Sequence, residues 1–273
     1  MLMRKYFRGT FLHRSRIANI FYQFLWRLLA DNDSTRSVSF RNLTIAVPSN
    51  EITILPSLID GSYEFEEINY FLAQLEPNAV VLDIGANIGV FSLPIANHLT
   101  QGFVYAFEPS SESARLLEQN ALKNGLRNIE VIEMAASSVT GQHHFLDSVV
   151  GGRRRLVEGR EGREVAAIKI DDWIAEREVY IDAVKIDVEG WESSVLRGMP
   201  NLLKSKPMLL MECNIAAQGP NIIEFSEQLR NLFKNYNQIV SFDGSRTTVH
   251  KSTDWQDIAD SKVLLNLIFI KNP

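Results

Sequence analysis

The run Val80-Val-Leu-Asp-Ile-Gly-Ala-Asn-Ile-Gly89 places an acid, Asp83, two residues ahead of a turn bracketed by Gly85 and Gly89. Glycines at that spacing let a backbone approach a ligand, and the apolar stretch 88–95 puts a helix N-terminus beside it. The run lacks the Gly-x-Gly start of the dinucleotide fingerprint. A carboxylate at Asp83 would repel a pyrophosphate, yet it suits the amino group and sulfonium of S-adenosyl-L-methionine. Glu108 ends a second apolar run, Phe103-Val-Tyr-Ala-Phe107, where a carboxylate can accept hydrogen bonds from both ribose hydroxyls. The alternative is a nucleotide fold for another adenosine ligand, with Asp83 capping its turn and Glu108 serving as a helix N-terminal acid.

A second constellation is Val184-Lys-Ile-Asp-Val-Glu-Gly190, with Glu212 further on. Residues two apart in a strand share a face, so Lys185 and Asp187 point one way while Val184 and Ile186 pack the other. A lysine inside an apolar strand requires a partner or a shifted pKa. Asp187 at a strand tip, Glu189 beyond it and Glu212 on the next strand form a cluster able to take a proton from a hydroxyl attacking a methyl carbon. The sulfonium is already a good leaving group, so orienting the acceptor supplies much of the rate. The competing reading is a buried structural pair of Lys185 with Asp187 or Glu212. A third gives Asp187, Glu212 and Asn214 to a magnesium ion, against which the lysine's charge counts; no metal is expected.

Around these acids, Gly85, Ala86, Asn87 and Gly89 would form the cofactor turn, and Glu108 with Pro109 the second tip. Ala135 and Ala136 are small enough for an adenine ring to lie flat against their backbone. Tyr63 and Glu64 precede the first strand of this series and would close over the methionine end.

Such positions presuppose a strand–helix–strand frame. Ser110 caps a helix through Leu116, Leu117 and Ala121 that Asn124-Gly125 closes. Strands are expected at 129–134, 181–187, 208–212, 238–242 and 263–270, with helices starting at Asp171 and over 222–233. A glycine-rich basic loop, Gly151-Gly-Arg-Arg-Arg155, interrupts the rhythm over 141–170 between two short extended pieces. Alternating elements imply a mostly parallel sheet covered on both faces, which binds ligands beyond its carboxyl strand ends. Asp83, Glu108, Ala135, Asp187 and Glu212 all fall at such ends. Ahead of this lie a β-hairpin over 38–47 turning at Arg41-Asn42 and a helix over 66–75. The division expected is an appendage over 1–55 and a catalytic domain over 56–273.

A hydrophobic content of 45% and a charged content of 22% fit a globular chain, and a net charge of −5 argues against nucleic acid as a partner. Residues 1–30 carry six basic side chains and no acid. Their apolar residues recur at helical spacing, which suits either an anionic membrane surface or docking on the chain's own domain or a second subunit. One cysteine and no run of about 20 apolar residues suggest a cytoplasmic protein, peripheral at the inner membrane surface if residues 1–30 bind lipid. The oligomeric state stays open.

The chain resembles the FkbM-type S-adenosylmethionine-dependent methyltransferases. The resemblance is carried by Gly61-Ser-Tyr-Glu64, the Leu82–Gly89 motif, Phe107-Glu-Pro109, Ile170-Asp-Asp172, Val184–Gly190 with Glu192, and Met211-Glu212. It implies a Rossmann-like, seven-stranded methyltransferase sheet and O-methylation of a hydroxyl, on a sugar of a glycan or glycolipid precursor, or on a polyketide or phenolic natural product. A non-catalytic cofactor-binding protein is the alternative outside enzymes. The first 55 residues and those from 214 onward match poorly.

Overall fold

A computed structural model describes residues 35–49, 51, 54–147, 154–157, 161–242, 247–251, 253–260 and 264–271. The expected amphipathic helix over 1–30 lies outside the described residues. The chain divides into two compact units, one through Phe65 and one from Glu66 onward.

The first unit holds the expected hairpin, β1 (Thr35–Phe40) and β2 (Leu43–Pro48). Arg41 and Asn42 both take positive φ (52° and 65°), the paired left-handed conformation of a two-residue hairpin turn. Leu43, Ile45 and Val47 alternate onto a buried face, and α1 (Leu55–Ile59) packs on β1. Helix α2 (Phe65–Ala73) then leads into the second unit.

The strands of the second unit are β3 (Val80–Ile84), β4 (Phe103–Phe107), β5 (Ile129–Ile132), β10 (Ala183–Ile186), β11 (Met208–Cys213), β12 (Gln238–Phe242), β13 (Thr247–His250) and β14 (Leu265–Ile270). They form one eight-stranded sheet in the order β13-β12-β14-β11-β10-β3-β4-β5. Pairing is parallel from β11 through β5, whereas β14 runs antiparallel between β11 and β12. Strand order therefore reverses between β3 and β10, and the ends of these two strands flank the crevice where α/β sheets bind ligands. The seven expected strands are present, and β13 adds an eighth at the edge. Its Thr-Thr-Val-His sequence is mostly exposed and carries no core-facing alternation, so hydrophobic pattern could not announce it. His250 Nε2 and Ser241 Oγ, 2.7 Å apart, tie it to β12.

The central strands are buried on both faces, as in parallel sheets generally. Leu82, Ile84, Val184, Ile186, Leu209 and Met211 meet Trp173 of α5 (Ile170–Arg177), Val195 of α6 (Glu192–Arg197), and Phe225 and Phe233 of α8 (Ile222–Asn235) in one core. The Asp-Asp pair after Ile170 has a local explanation. Asp171 accepts from the amides of Asn201 and Leu202 (2.7 and 3.0 Å) and so caps α7 (Pro200–Ser205). Helices α3 (Ser92–His98) and α4 (Ser111–Lys123) follow β3 and β4. Ser110 stands at the N-cap of α4, but its hydroxyl makes no cap bond. At the other end Gly125, with φ +70°, turns the chain, and Leu126 N–H donates to Ala121 O (3.0 Å).

The segment after β5 corrects the sequence reading. The two extended pieces are present as β7 (Gly141–Asp147) and β9 (Arg163–Ile168), but with β6 (Ala135–Ala136) and β8 (Arg154–Val157), which takes up the end of the expected loop, they form a second, four-stranded sheet. Arg154 and Arg155 open β8; Gly151 to Arg153 lie outside the described residues. Ala135, Phe145, Leu156, Val165 and Ala167 build its small core, with Trp191 against it. Three large apolar residues spread over three strands leave little periodicity to read.

Candidate functional site

The glycine turn is shaped by its neighbours. Gly85, Asn87 and Gly89 all have positive φ (82°, 49° and 93°), and the amides of Gly85 and Ala86 donate to Phe107 O at 2.9 and 3.0 Å. A Cβ on Gly85 would stand 1.9 Å from the carbonyl oxygen of Asp187, so the space this glycine leaves is filled by the tip of β10. Asn120 on α4 anchors the far side, its amide donating to Ile88 O at 3.1 Å.

Glu108, at the tip of β4, is only 5% exposed. Its Oε2 accepts from Asn87 N–H (2.9 Å) and its Oε1 from Ser110 N–H (2.8 Å), so it ties β4, the glycine turn and α4 together. A carboxylate has about four acceptor positions, enough to serve backbone amides and a diol together. Pro109 O accepts from Arg163, whose guanidinium lies 5.3 Å over the Phe145 ring, so the second sheet attaches beside this tip.

Lys185 is the centre of the acidic cluster, and its chief partner is not one the sequence suggested. Its side chain is 5% exposed, and Nζ lies 3.1 Å from Asp83 Oδ1 on β3 and 3.6 Å from Asp187 Oδ2. It also donates to Gly85 O (2.9 Å) and sits 5.4 Å from the centroid of the Phe91 ring. Asp83 is fully buried and accepts from Ser92 Oγ at 2.5 Å. It has no exposed surface on which to meet a ligand amino group directly. The two carboxylates around one ammonium thus differ: Asp83 is sealed inside, while the Asp187 side chain is 28% exposed. An unpaired buried charge costs several kcal/mol, roughly, and the inner carboxylate removes that cost.

Beyond Asp187 the backbone is constrained. Glu189 has φ +54°, a conformation costing a non-glycine residue about 1–3 kcal/mol, and Gly190 follows at +99°. Glu212, half-buried on β11, stands opposite Asn266 of β14. Together with burial, which is the main cause, the carboxylates of Glu192 and Glu212 push the Cys213 thiol up to about 12. Asn214 Oδ1 accepts from Ala217 N–H (3.2 Å) and so starts the 3₁₀ helix Ile215–Asn221, a use that competes with metal ligation.

The structure therefore brings Asp83, Gly85, Ala86, Asn87, Glu108, Lys185 and Asp187 together at the carboxyl ends of β3, β4 and β10. Ala135 and Ala136 lie in β6, paired with Ala167 and Ile168, with their methyl groups buried in the protein. Tyr63 and Glu64 belong to the first unit, where Tyr63 N–H donates to Ser57 O (3.1 Å) and Glu64 has φ +37°. One residue received no role from sequence reasoning. Glu192 opens α6, is fully buried and bonds the backbone of the turn after Asp187. Its signal was an acid in the first turn of a helix right after the Glu-Gly pair, which reads equally well as ordinary helix chemistry.

Residues 83–244 match the sequence profile described as the methyltransferase FkbM domain. The chain is 29% identical to methyltransferase sdnD of Sordaria araneosa, in an alignment covering 52% of this chain and 70% of that protein. It is 26% identical to the hexuronic acid methyltransferase AglP of Haloferax volcanii, covering 61% of this chain and 69% of that protein. Among solved structures, M. jannaschii TYW2 in complex with AdoMet aligns with 87% of this chain and 85% of that one, at 15% identity and a TM-score of 0.47.

Proposed function

The chain belongs to the FkbM methyltransferase family, and from that premise we propose that it transfers a methyl group from S-adenosyl-L-methionine to a hydroxyl of a sugar in a glycan or glycolipid precursor. The observation that carries this reading is the pair Lys185–Asp187, which leaves one partly exposed carboxylate beside the glycine turn. The donor set suits the cofactor: Glu108 for a ribose diol, and a turn of Gly85, Ala86, Asn87 and Gly89 drawn against its carboxylate. When bound, the cofactor supplies an activated methyl group on a sulfonium.

The remaining work falls to the chain's own groups. Asp187 orients the acceptor hydroxyl and receives its proton, while Lys185, fixed by Asp83, holds Asp187 in place. The sugar acceptor is supported by AglP, whose name gives hexuronic acid as what that protein methylates. Glu189 and Glu212 flank the acceptor side. No helix among the described residues is long and apolar enough to cross a membrane. Reversible contact of residues 1–30 with anionic lipid is part of the proposal, and flotation with anionic liposomes that is absent even at low salt overturns that part.

Calorimetry with S-adenosylmethionine, followed by release of S-adenosylhomocysteine across uronic acid, neutral sugar and phenolic acceptors, tests the reading. Asp187→Asn should keep cofactor affinity and lose about 10²–10⁴-fold in turnover, the usual worth of a positioned acid–base group. Full turnover in that variant moves the base to Glu189 or Glu212. Turnover on phenols alone replaces the sugar.

A further inference from the structure

We infer that Glu192 is a positioning residue, whose buried carboxylate joins the turn bearing Asp187 and Glu189 to the 3₁₀ helix after β11, so that two separate loops form one wall of the acceptor side. The inference rests on the role given to Asp187 above.

Glu192 Oε1 accepts from Val188 N–H (3.3 Å) and Gly190 N–H (3.1 Å), the amides on either side of Glu189. Its Oε2 accepts from Gln218 Nε2 at 2.5 Å, and Gln218 is itself buried in the 3₁₀ helix. The same amide group reaches Asn214 O (3.4 Å), next to the end of β11. The two loops also touch through backbone, because a Cβ on Gly190 would stand 2.6 Å from Ala217 O. One carboxylate thus satisfies two amides of a turn that includes a left-handed non-glycine residue, and holds a second loop with its other oxygen. Burial pushes this carboxyl up, with Asp187 adding repulsion, so the group is retained at a cost that its bonds must offset. Its geometry explains why: Asp187 N–H donates to Ile84 O (3.0 Å) and its carboxylate pairs with Lys185, while Glu192 holds the two amides that follow, at Val188 and Gly190, and so steers the chain as it leaves β10. Glu192 touches no reacting atom and acts through the turn.

The test uses the full chain. In Glu192→Ala, hydrogen exchange should rise at least about tenfold in 187–190 and in 215–221, while β3 and β10 stay protected. Glu192→Gln keeps an oxygen for the two turn amides, and Gln218 can rotate its own amide to meet the new one, so protection should return. Gln218→Ala cuts only the tie, loosening 215–221 while 187–190 stays held; it serves if Glu192→Ala does not fold. With the best acceptor from the screen, kcat in Glu192→Ala should fall by about 10²-fold through misplacement, with S-adenosylmethionine affinity unchanged, and recover in Glu192→Gln. Unchanged exchange in both loops, loosening spread evenly over the sheet, or a glutamine variant no better than alanine overturns the inference. If these exchange results hold but Asp187→Asn is fully active, the tie stands and the role of Asp187 falls instead.

Discussion

Lys185 on β10 stands directly opposite Asp83 on β3 in the parallel register, and the two close a buried ion pair of 3.1 Å. Register partners on adjacent strands stand side by side on the same face, so a lysine that looks tied to its own strand finds its strongest partner on the next. The inner acid neutralises the ammonium. The outer acid, Asp187, is then left at the surface of the crevice.

Removing one member of this pair should be costly. Asp83→Leu takes away the shorter ion pair and leaves Lys185 the longer one to Asp187 beside its bond to Gly85 O, and we expect a loss near the low end of about 3–5 kcal/mol. The double variant Asp83→Leu/Lys185→Met removes both charges and should recover much of it. Urea unfolding of both proteins checks this; a double variant no more stable than the single one would show that the pair is not the source of the loss.

Glu108 links cofactor affinity to the shape of the glycine turn. Its replacement by alanine removes charge-assisted bonds worth about 1.5–3 kcal/mol each, so S-adenosylmethionine should bind at least tenfold more weakly. Isothermal titration of a variant with native near-ultraviolet dichroism is the check. Unchanged affinity there counts against the assignment.

At Gly85 both space and backbone forbid a side chain. A Cβ would stand 1.9 Å from the Asp187 carbonyl oxygen, and φ is +82°. Gly85→Ala must therefore push the tips of β3 and β10 apart, and the expected loss is about 2–4 kcal/mol in stability, together with activity. A melting temperature within a degree or two of the parent, roughly, would mean the tips separate easily.

Alkaline pH should destabilise the fold. Burial holds the Cys213 thiol up to about 12, against an ordinary 9.0, and raises the Tyr236 phenol as well. Both stay protonated longer in the folded chain, so the unfolded chain ionises first. Stability is then full below the ordinary thiol value and falls as pH climbs toward the raised one, by up to about 1.4 kcal/mol per pH unit for each group. Denaturant titrations at pH 8 and pH 10.5 test the slope, and Cys213→Ala should flatten its thiol component.

Much of this frame was legible in the residues. Alternating apolar runs and turns marked the strands that carry Asp83, Glu108 and Asp187, because buried parallel strands are continuously apolar and end abruptly at polar tips. The turn at Gly85 and Gly89 was also marked by residue type, since glycine lets a backbone come close. The second sheet was not legible, since β6 through β9 are short and owe their structure to pairing with one another and to Trp191.

Sequence alone determined the order of seven strands of the main sheet, the strand-end placement of the acids and the family to which the motifs belong, all of which rest on local pattern. Tertiary structure decided which acid neutralises Lys185, why Gly85 must be glycine, and that Glu192 ties the turn after Asp187 to the 3₁₀ helix after β11. Each of these depends on a contact between segments far apart in the chain, whose register is fixed only when the sheet assembles and buries its charges.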